Sequence, residues 1–319
     1  MTRNSLIAAA AGTLGGVLLV AAWHGSFFGV VLGLVFSPLP LAMTAFGLGL
    51  SFLPVAVVAG TMAVTVLTGS LVLGAFYLVF DAAPMVILAR VGIAADRAIA
   101  QGHPQPVLGG RTIAVPVVGL VIVATALMAM GLAMFPAGPD GIEASMIARI
   151  DQLVKENGML RDLPETARAA FVSTLVRVMP GAAAWNWCFR ALASAVVGQA
   201  LLARDGFNRW PTPAYRTLSV PGWYVGVFWL AVVAGWLAPG DIGFVVANVA
   251  IVMSLPLVLQ GLAVVHCAAA RFGYGRFALA VFYGVTLVVA GPALVLIVAL
   301  GVMEHFSQLR RRMAAPNGG

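Results

Sequence analysis

Eight polar side chains stand inside apolar runs of this chain, and they are the residues with which it could do chemistry: Asp81, Asn186, Arg190, Gln199, Asn248, Gln260, His266 and Glu304. A polar group in hydrocarbon costs a few kcal/mol unless it is partnered, so each calls for a partner, a ligand or a task. Asn186, Arg190 and Ser194 follow one another at i, i+4 and i+8, which predicts a polar stripe on one helix. Asp81 is the one acid ahead of residue 91, and Pro84 follows it. A charge pair between Asp81 and Arg190 would account for both, either as a structural pairing or as a substrate-facing group. Asn248 and His266 share a helical face but lie about 27 Å apart along it. Pro256 and Gln260-Gly261 stand between them, where a broken helix would turn backbone groups into a cavity. Gln260 reads equally as a cavity residue and as an interhelical hydrogen-bonding group.

Other kinds of chemistry find no footing. There is no GxSxG, Walker-type or HExxH pattern, and no carboxylate pair with catalytic spacing in the apolar runs, so the chain does not read as an enzyme. His24, His103, His266 and His305 are too scattered for a metal pair, and no cofactor is implied. Cys188 and Cys267 sit in apolar surroundings with no CxxC spacing and read as small buried hydrophobes. The net charge is +7, but the basic residues are spread through short loops, which argues against nucleic acid.

The elements that must hold these residues are membrane helices. Of the 319 residues, 61% are hydrophobic and only 9% charged, too little charge for a water-facing surface. The fold class expected is all-α, a polytopic transmembrane bundle of about eight or nine spans with proline-broken helices. The spans are expected at 6–22, 27–48, 51–68, 70–91, 112–135, 180–203, 221–238, 242–268 and 277–303. The first imitates a signal peptide but lacks a convincing cleavage site, and is read as a retained helix. Ser37-Pro38-Leu39-Pro40 should kink or break the second. Glycines four apart, Gly12/Gly16, Gly25/Gly29/Gly33 and Gly222/Gly226, read as packing faces. Residues 1–312 are expected to form a single integral membrane domain, and 313–319 a disordered tail.

Residues 136–177 are the one sizeable polar insertion, with five basic and six acidic residues. They read as two amphipathic helices lying in the interface or capping the bundle, the first with Ile142, Met146, Ile150, Leu153 and Val154 on its apolar face. The second begins at Pro164 with Ala167, Phe171, Leu175 and Val178 in line. Loop charges put the amino terminus inside and 136–177 outside. Nine spans would then leave Arg310-Arg311-Arg312 outside, against the rule, unless Gly291-Pro292 splits the last segment and brings the tail back.

Several short pieces resemble the YybS-like family of bacterial membrane proteins. These are Ser37-Pro38-Leu39-Pro40, Pro221-Gly222-Trp223, and Asn248 leading to the run Gln260-Gly261-Leu262-Ala263-Val264-Val265-His266. Gly301-Val302-Met303-Glu304 ahead of Arg310-Arg311-Arg312 completes the set. The likeness is clearest over about 220–312 and weaker over 5–91. The amino-terminal half is also similar in style to the S components of energy-coupling-factor transporters, which bind a vitamin or metal ion and dock on a shared energising module. The resemblance implies a multi-pass protein of the bacterial inner membrane that holds a small molecule between its helices, in contact with the lipid bilayer and a membrane protein partner such as that module. The candidate cavity takes in Asp81, Asn186, Arg190, Asn248, Gln260 and His266. The rival expectation is a non-transporting scaffold or envelope-assembly protein acting through 136–177.

Overall fold

In the computed structural model the described residues are 2–24, 33, 35–100, 114–210, 212–271 and 275–314, with backbone alone at 23–24, 95–100 and 314. The first part of the expected span 27–48, the polar hinge at 101–113 with His103 and Arg111, Gly25, Gly29 and the tail at 315–319 lie outside them. Among the described residues every regular element is helical: α1 Arg3–His24, α2 Leu39–Met43, α3 Leu53–Thr68, α4 Leu71–Tyr77, α5 Ala83–Ala100, α6 Ala114–Ala133, α7 Gly141–Glu156, α8 Glu165–Arg204, α9 Gly222–Leu237, α10 Gly240–Ala269, α11 Gly275–Val288, α12 Ala290–Ser307 and α13 Leu309–Ala314, with a single 3₁₀ turn at Tyr215–Thr217. Two π-helical turns, Thr44–Leu48 and Leu78–Ala82, join α2 to the next connection and α4 to α5. Five stretches are long and apolar enough to cross a membrane: 3–22, 71–94, 114–133, 240–269 and 290–307. Four shorter apolar helices, at 39–48, 53–68, 222–237 and 275–288, accompany them.

The chain gathers into two compact units, one from residues 1–120 and 187–215, the other from 121–186 and 216–319. In the first unit α1 and α3 run side by side through Gly12/Gly16 and Ala56/Gly60. A Cβ on Gly12 would overlap the Ala56 carbonyl, and one on Gly16 would stand 2.6 Å from the Gly60 carbonyl. The expected packing role of Gly12 and Gly16 is therefore what holds these backbones close. Gly69, at φ +65°, ends α3 in the left-handed region where glycine is free of the Cβ penalty. Ser70 then opens α4 by accepting the Leu73 amide on its hydroxyl at 3.4 Å. Ser37-Pro38 forms a turn, as the proline pair requires. The connection after α8 closes the first π turn, since Arg209 gives its backbone amide to the Phe46 carbonyl (3.0 Å) and Nη1 to the Leu48 carbonyl (2.6 Å).

In the second unit α9 and α10 form a hairpin through Pro239 and Gly240. α10 and α12 cross where glycine removes the side chain from both: a Cβ on Gly261 would overlap the Ile297 carbonyl, and one on Gly301 the Leu257 carbonyl. This reciprocal contact replaces the expected break at Gln260-Gly261, for α10 runs without interruption through Pro256. A Cβ on Gly226 would meet no other described segment within 4 Å, so the Gly222/Gly226 pair is not a close-packing face.

One further expectation is corrected. The second amphipathic helix and the span at 180–203 are one 40-residue helix, α8, which carries Pro180 in its interior. The segment 277–303, expected either as one span or as a pair split at Gly291-Pro292, is two helices divided at Val289, and Pro292 falls in the first turn of α12, where its missing amide would have had no partner. α13 runs to Ala314. α8 carries two apolar lines, and they are buried differently. Val172 and Val176 are buried against Leu132, Met146, Val154 and Phe244, while Phe171, Leu175 and Val178 are exposed. Every fourth residue on a helix shares a face, so both lines are apolar stripes, and β-branched Val172 and Val176 fill the space over Leu132.

Candidate functional site

The first unit holds a buried cluster of charge built on irregular backbone. Pro84 has no amide to donate, and the turn before it widens so that the Ala83 amide reaches back five residues to the Leu78 carbonyl. The next carbonyl in that pattern, Val79, would face the nitrogen of Pro84. Trp187 Nε1 supplies the donor instead, at 2.9 Å. This π turn carries Asp81 to full burial. Its Oδ2 accepts the Ser37 hydroxyl at 2.8 Å and its Oδ1 accepts Arg190 Nη2 at 2.5 Å, while the same Nη2 lies 2.9 Å from Ser37 Oγ. Arg190 is 5% exposed. Ser194, one turn further along α8, gives its hydroxyl to the Val35 carbonyl at 3.3 Å, beside the Ser37-Pro38 turn.

The triangle Ser37–Asp81–Arg190 thus takes one member from each of three distant stretches of the chain. It can exchange a proton at a carboxylate, present a guanidinium to an anion, or serve as a neutral pair in which each charge solvates the other. Beneath it, the Tyr77 hydroxyl is wholly buried among the described residues without a hydrogen-bond partner. It reaches that depth because Gly60 and Gly15 leave room: a Cβ on Gly15 would lie 3.0 Å from this hydroxyl and 2.8 Å from the Ser37 carbonyl.

The polar residues of the second unit are engaged separately. Asn248 is inserted into α8 at Pro180. The Gly181 amide donates to its Oδ1 at 2.7 Å, and its Nδ2 donates to the Arg177 carbonyl at 3.0 Å and to Phe244 at 2.9 Å. Arg177 and Gly181 are four residues apart, so this amide bridges a rung of the helix ladder next to the proline. Gln260 joins three segments, with the Val220 amide donating to its Oε1 at 2.6 Å and its Nε2 donating to the Gly301 carbonyl at 2.7 Å. The Tyr224 hydroxyl donates to the Met253 carbonyl at 2.8 Å, three residues ahead of Pro256. His266 is half-buried, with Nδ1 at 2.9 Å from the Leu262 carbonyl and Nε2 at 3.4 Å from the Tyr283 hydroxyl. Glu304 accepts Arg310 Nε at 2.7 Å across the left-handed residue Gln308, and Arg310 Nη1 reaches the Arg216 carbonyl.

Of the sequence-derived site residues, the structure brings Asp81 and Arg190 together and leaves Asn248, Gln260 and His266 at three places along α10. Asn186 is exposed, although Arg190 and Ser194 on the expected stripe are buried. Each four-residue step drifts about 40°, so the start of the stripe has turned away by the time Ser194 is reached. Gln199, in the first unit, gives Nε2 to the Trp210 carbonyl at 2.7 Å. Sequence reasoning missed Ser37, Trp187 and Tyr224 as bonding groups. The signal for each was a polar-tipped side chain near a proline or near Arg190. Among the described residues no three His, Cys, Asp or Glu side chains meet as a metal site would require.

Apolar helices, interior prolines and charges paired inside the helical packing define a multi-pass α-helical membrane protein. The family model for a predicted membrane protein (DUF2232) matches residues 14–304, and the chain belongs to that family. No curated protein and no solved structure matches the chain.

Proposed function

We propose that this protein binds a small polar molecule within the membrane, as a transporter or as the substrate-binding component of one, and that the Ser37–Asp81–Arg190 triangle is its recognition site. One observation carries the reading: Asp81 and Arg190 are both withdrawn from solvent and paired at 2.5 Å on a π turn. Two apolar side chains would hold these helices at least as firmly, so stability alone does not account for the charges. Ionisable groups and irregular backbone inside membrane helices are where binding and ion coupling are built. Asn248 and Gln260, whose amide oxygens and nitrogens are bonded within their own unit, serve as the frame, and no bond-making chemistry is invoked. The sequence resemblance supports a place in a bacterial inner membrane beside an energising partner. The rival, a scaffold working through 136–177, gains less, because that segment packs its inner apolar face on Leu132 and Phe244.

The test compares wild type with the Asp81→Leu/Arg190→Leu double variant, each purified in nanodiscs and searched by untargeted mass spectrometry for co-purifying small molecules. A compound enriched with wild type and lost from a double variant of equal thermal stability supports the reading. Indistinguishable profiles from the two proteins would overturn it.

A further inference from the structure

The polar hairpin of α7 and the first part of α8 carries three stripes instead of the two of an ordinary amphipathic helix. Val172 and Val176 form the inner one, packed on Leu132 and Phe244. A charged stripe pairs Arg168 and Lys155 with Asp151, and Arg177 with Glu143. A third line on α8, made of Phe171, Leu175 and Val178, is 51%, 39% and 44% exposed. Among the described residues nothing covers it.

We propose that lipid covers it, so that the hairpin is sunk to the depth of the helix ends of its unit and the third stripe lies against acyl chains. Three observations place it there. Leu132 is the second-last residue of α6 and Phe244 the fifth of α10, so the residues packed on them, Val172 and Val176, stand level with the ends of two membrane-crossing helices. At those same ends Met134 and Ile242 are exposed, as the last apolar residues of a lipid-facing surface would be. The third stripe also does not stop at the hairpin. Ala182, four residues beyond Val178 on the same line and past Pro180, is exposed too, so the outward apolar line runs into the apolar length of α8. An amphipathic helix with separate charged and apolar faces suits the boundary between headgroups and chains.

This inference does not depend on the proposed function. Its test uses full-length protein with Cys188 and Cys267 replaced by Ala, carrying one new cysteine at Phe171→Cys, Leu175→Cys, Val178→Cys or the solvent-facing control Glu156→Cys. Each is labelled with an environment-sensitive fluorophore and placed in phosphatidylcholine nanodiscs with or without bromine on the acyl chains. The expected result is several-fold stronger quenching by brominated chains at 171, 175 and 178 than at 156, with the order reversed for aqueous iodide. Strong iodide quenching at all four positions would show a water-facing face and overturn the proposal. Protection of 171, 175 and 178 from both quenchers would show a protein occupant, either a second copy or another chain, and would overturn it equally. These side chains are exposed, so each variant should keep the melting temperature of the cysteine-free parent, and three independent positions guard against one that does not.

Discussion

Asn248 is spliced into the helix that holds Gly181: the glycine amide donates to its side-chain oxygen at 2.7 Å, across 67 residues of sequence. A proline at position 180 spoils the local ladder, and the amide of another helix fills the rung beside it. Losing that amide leaves a buried donor and acceptor bare, at about 1–3 kcal/mol for each. Asn248→Ala should therefore lower the unfolding temperature in detergent. In a Pro180→Ala background, where the ladder can close on itself, the same substitution should cost much less. Equal losses in both backgrounds would show that the asparagine acts independently of the proline.

For Asp81 and Arg190, the buried pair gives opposite forecasts for single and double changes. Asp81→Ala or Arg190→Ala strands the other charge, which costs about 3–5 kcal/mol in a buried pair. The yield of folded protein on size-exclusion chromatography should fall sharply for each. Asp81→Leu/Arg190→Leu should recover most of it. Additive losses in the double variant would mean that the two residues do not depend on each other.

Glycines in this chain divide into two kinds, and alanine distinguishes them. Gly12→Ala would drive a methyl group into the Ala56 carbonyl, and Gly301→Ala into the Leu257 carbonyl, so both should loosen helix crossings and lower the melting temperature. Gly226 lies inside α9 with open space around it. Gly226→Ala should be neutral or stabilising by about 0.5–1 kcal/mol, the ordinary gain of alanine over glycine in a helix.

The hairpin of α7 and α8 should respond to acid through Asp151. A hydrogen bond from Lys155, opposed by desolvation and reinforced by a hydrogen bond from Arg168 and the charge of both, holds its carboxyl below the usual aspartate range. A carboxyl depressed on folding lends stability above its unfolded value and loses it as pH falls through the folded one. Amide hydrogen exchange across 141–175 should therefore show extra opening below about pH 4, where an unperturbed aspartate titrates. Because Asp151 is solvent-screened the effect is small. Asp151→Asn should remove it, and an unchanged acid response in that variant would assign it to another carboxyl.

How much of this could be read in advance differs from residue to residue. Asp81 and Arg190 could be paired from the chain alone because they are opposite charges in surroundings with almost no other charge. Ser37 completes their triangle but is one of many hydroxyls near a proline, and nothing in its neighbours singles it out. The break at Ser37-Pro38 was legible, since proline disrupts a helix by local sterics. Pro180 and Pro256, with the same local chemistry, lie inside unbroken helices; Asn248 enters the rung beside Pro180, and Tyr224 bonds the Met253 carbonyl near Pro256. The two apolar lines of α8 could not be ranked from the chain alone for a related reason: both are greasy, and only the position of Leu132 and Phe244 decides which one faces inward.

By itself the sequence settled the solvent, the helical class and which side chains could not be left unpartnered, because hydropathy, proline chemistry and the cost of a bare polar group in hydrocarbon act over a few residues. The tertiary structure decided the partners: which carbonyl Trp187 reaches, which helix Asn248 enters, and which glycines bring backbones together. Those choices depend on where distant segments come to lie, and a hydrogen bond reaching only about 3 Å selects among them by position and not by residue type.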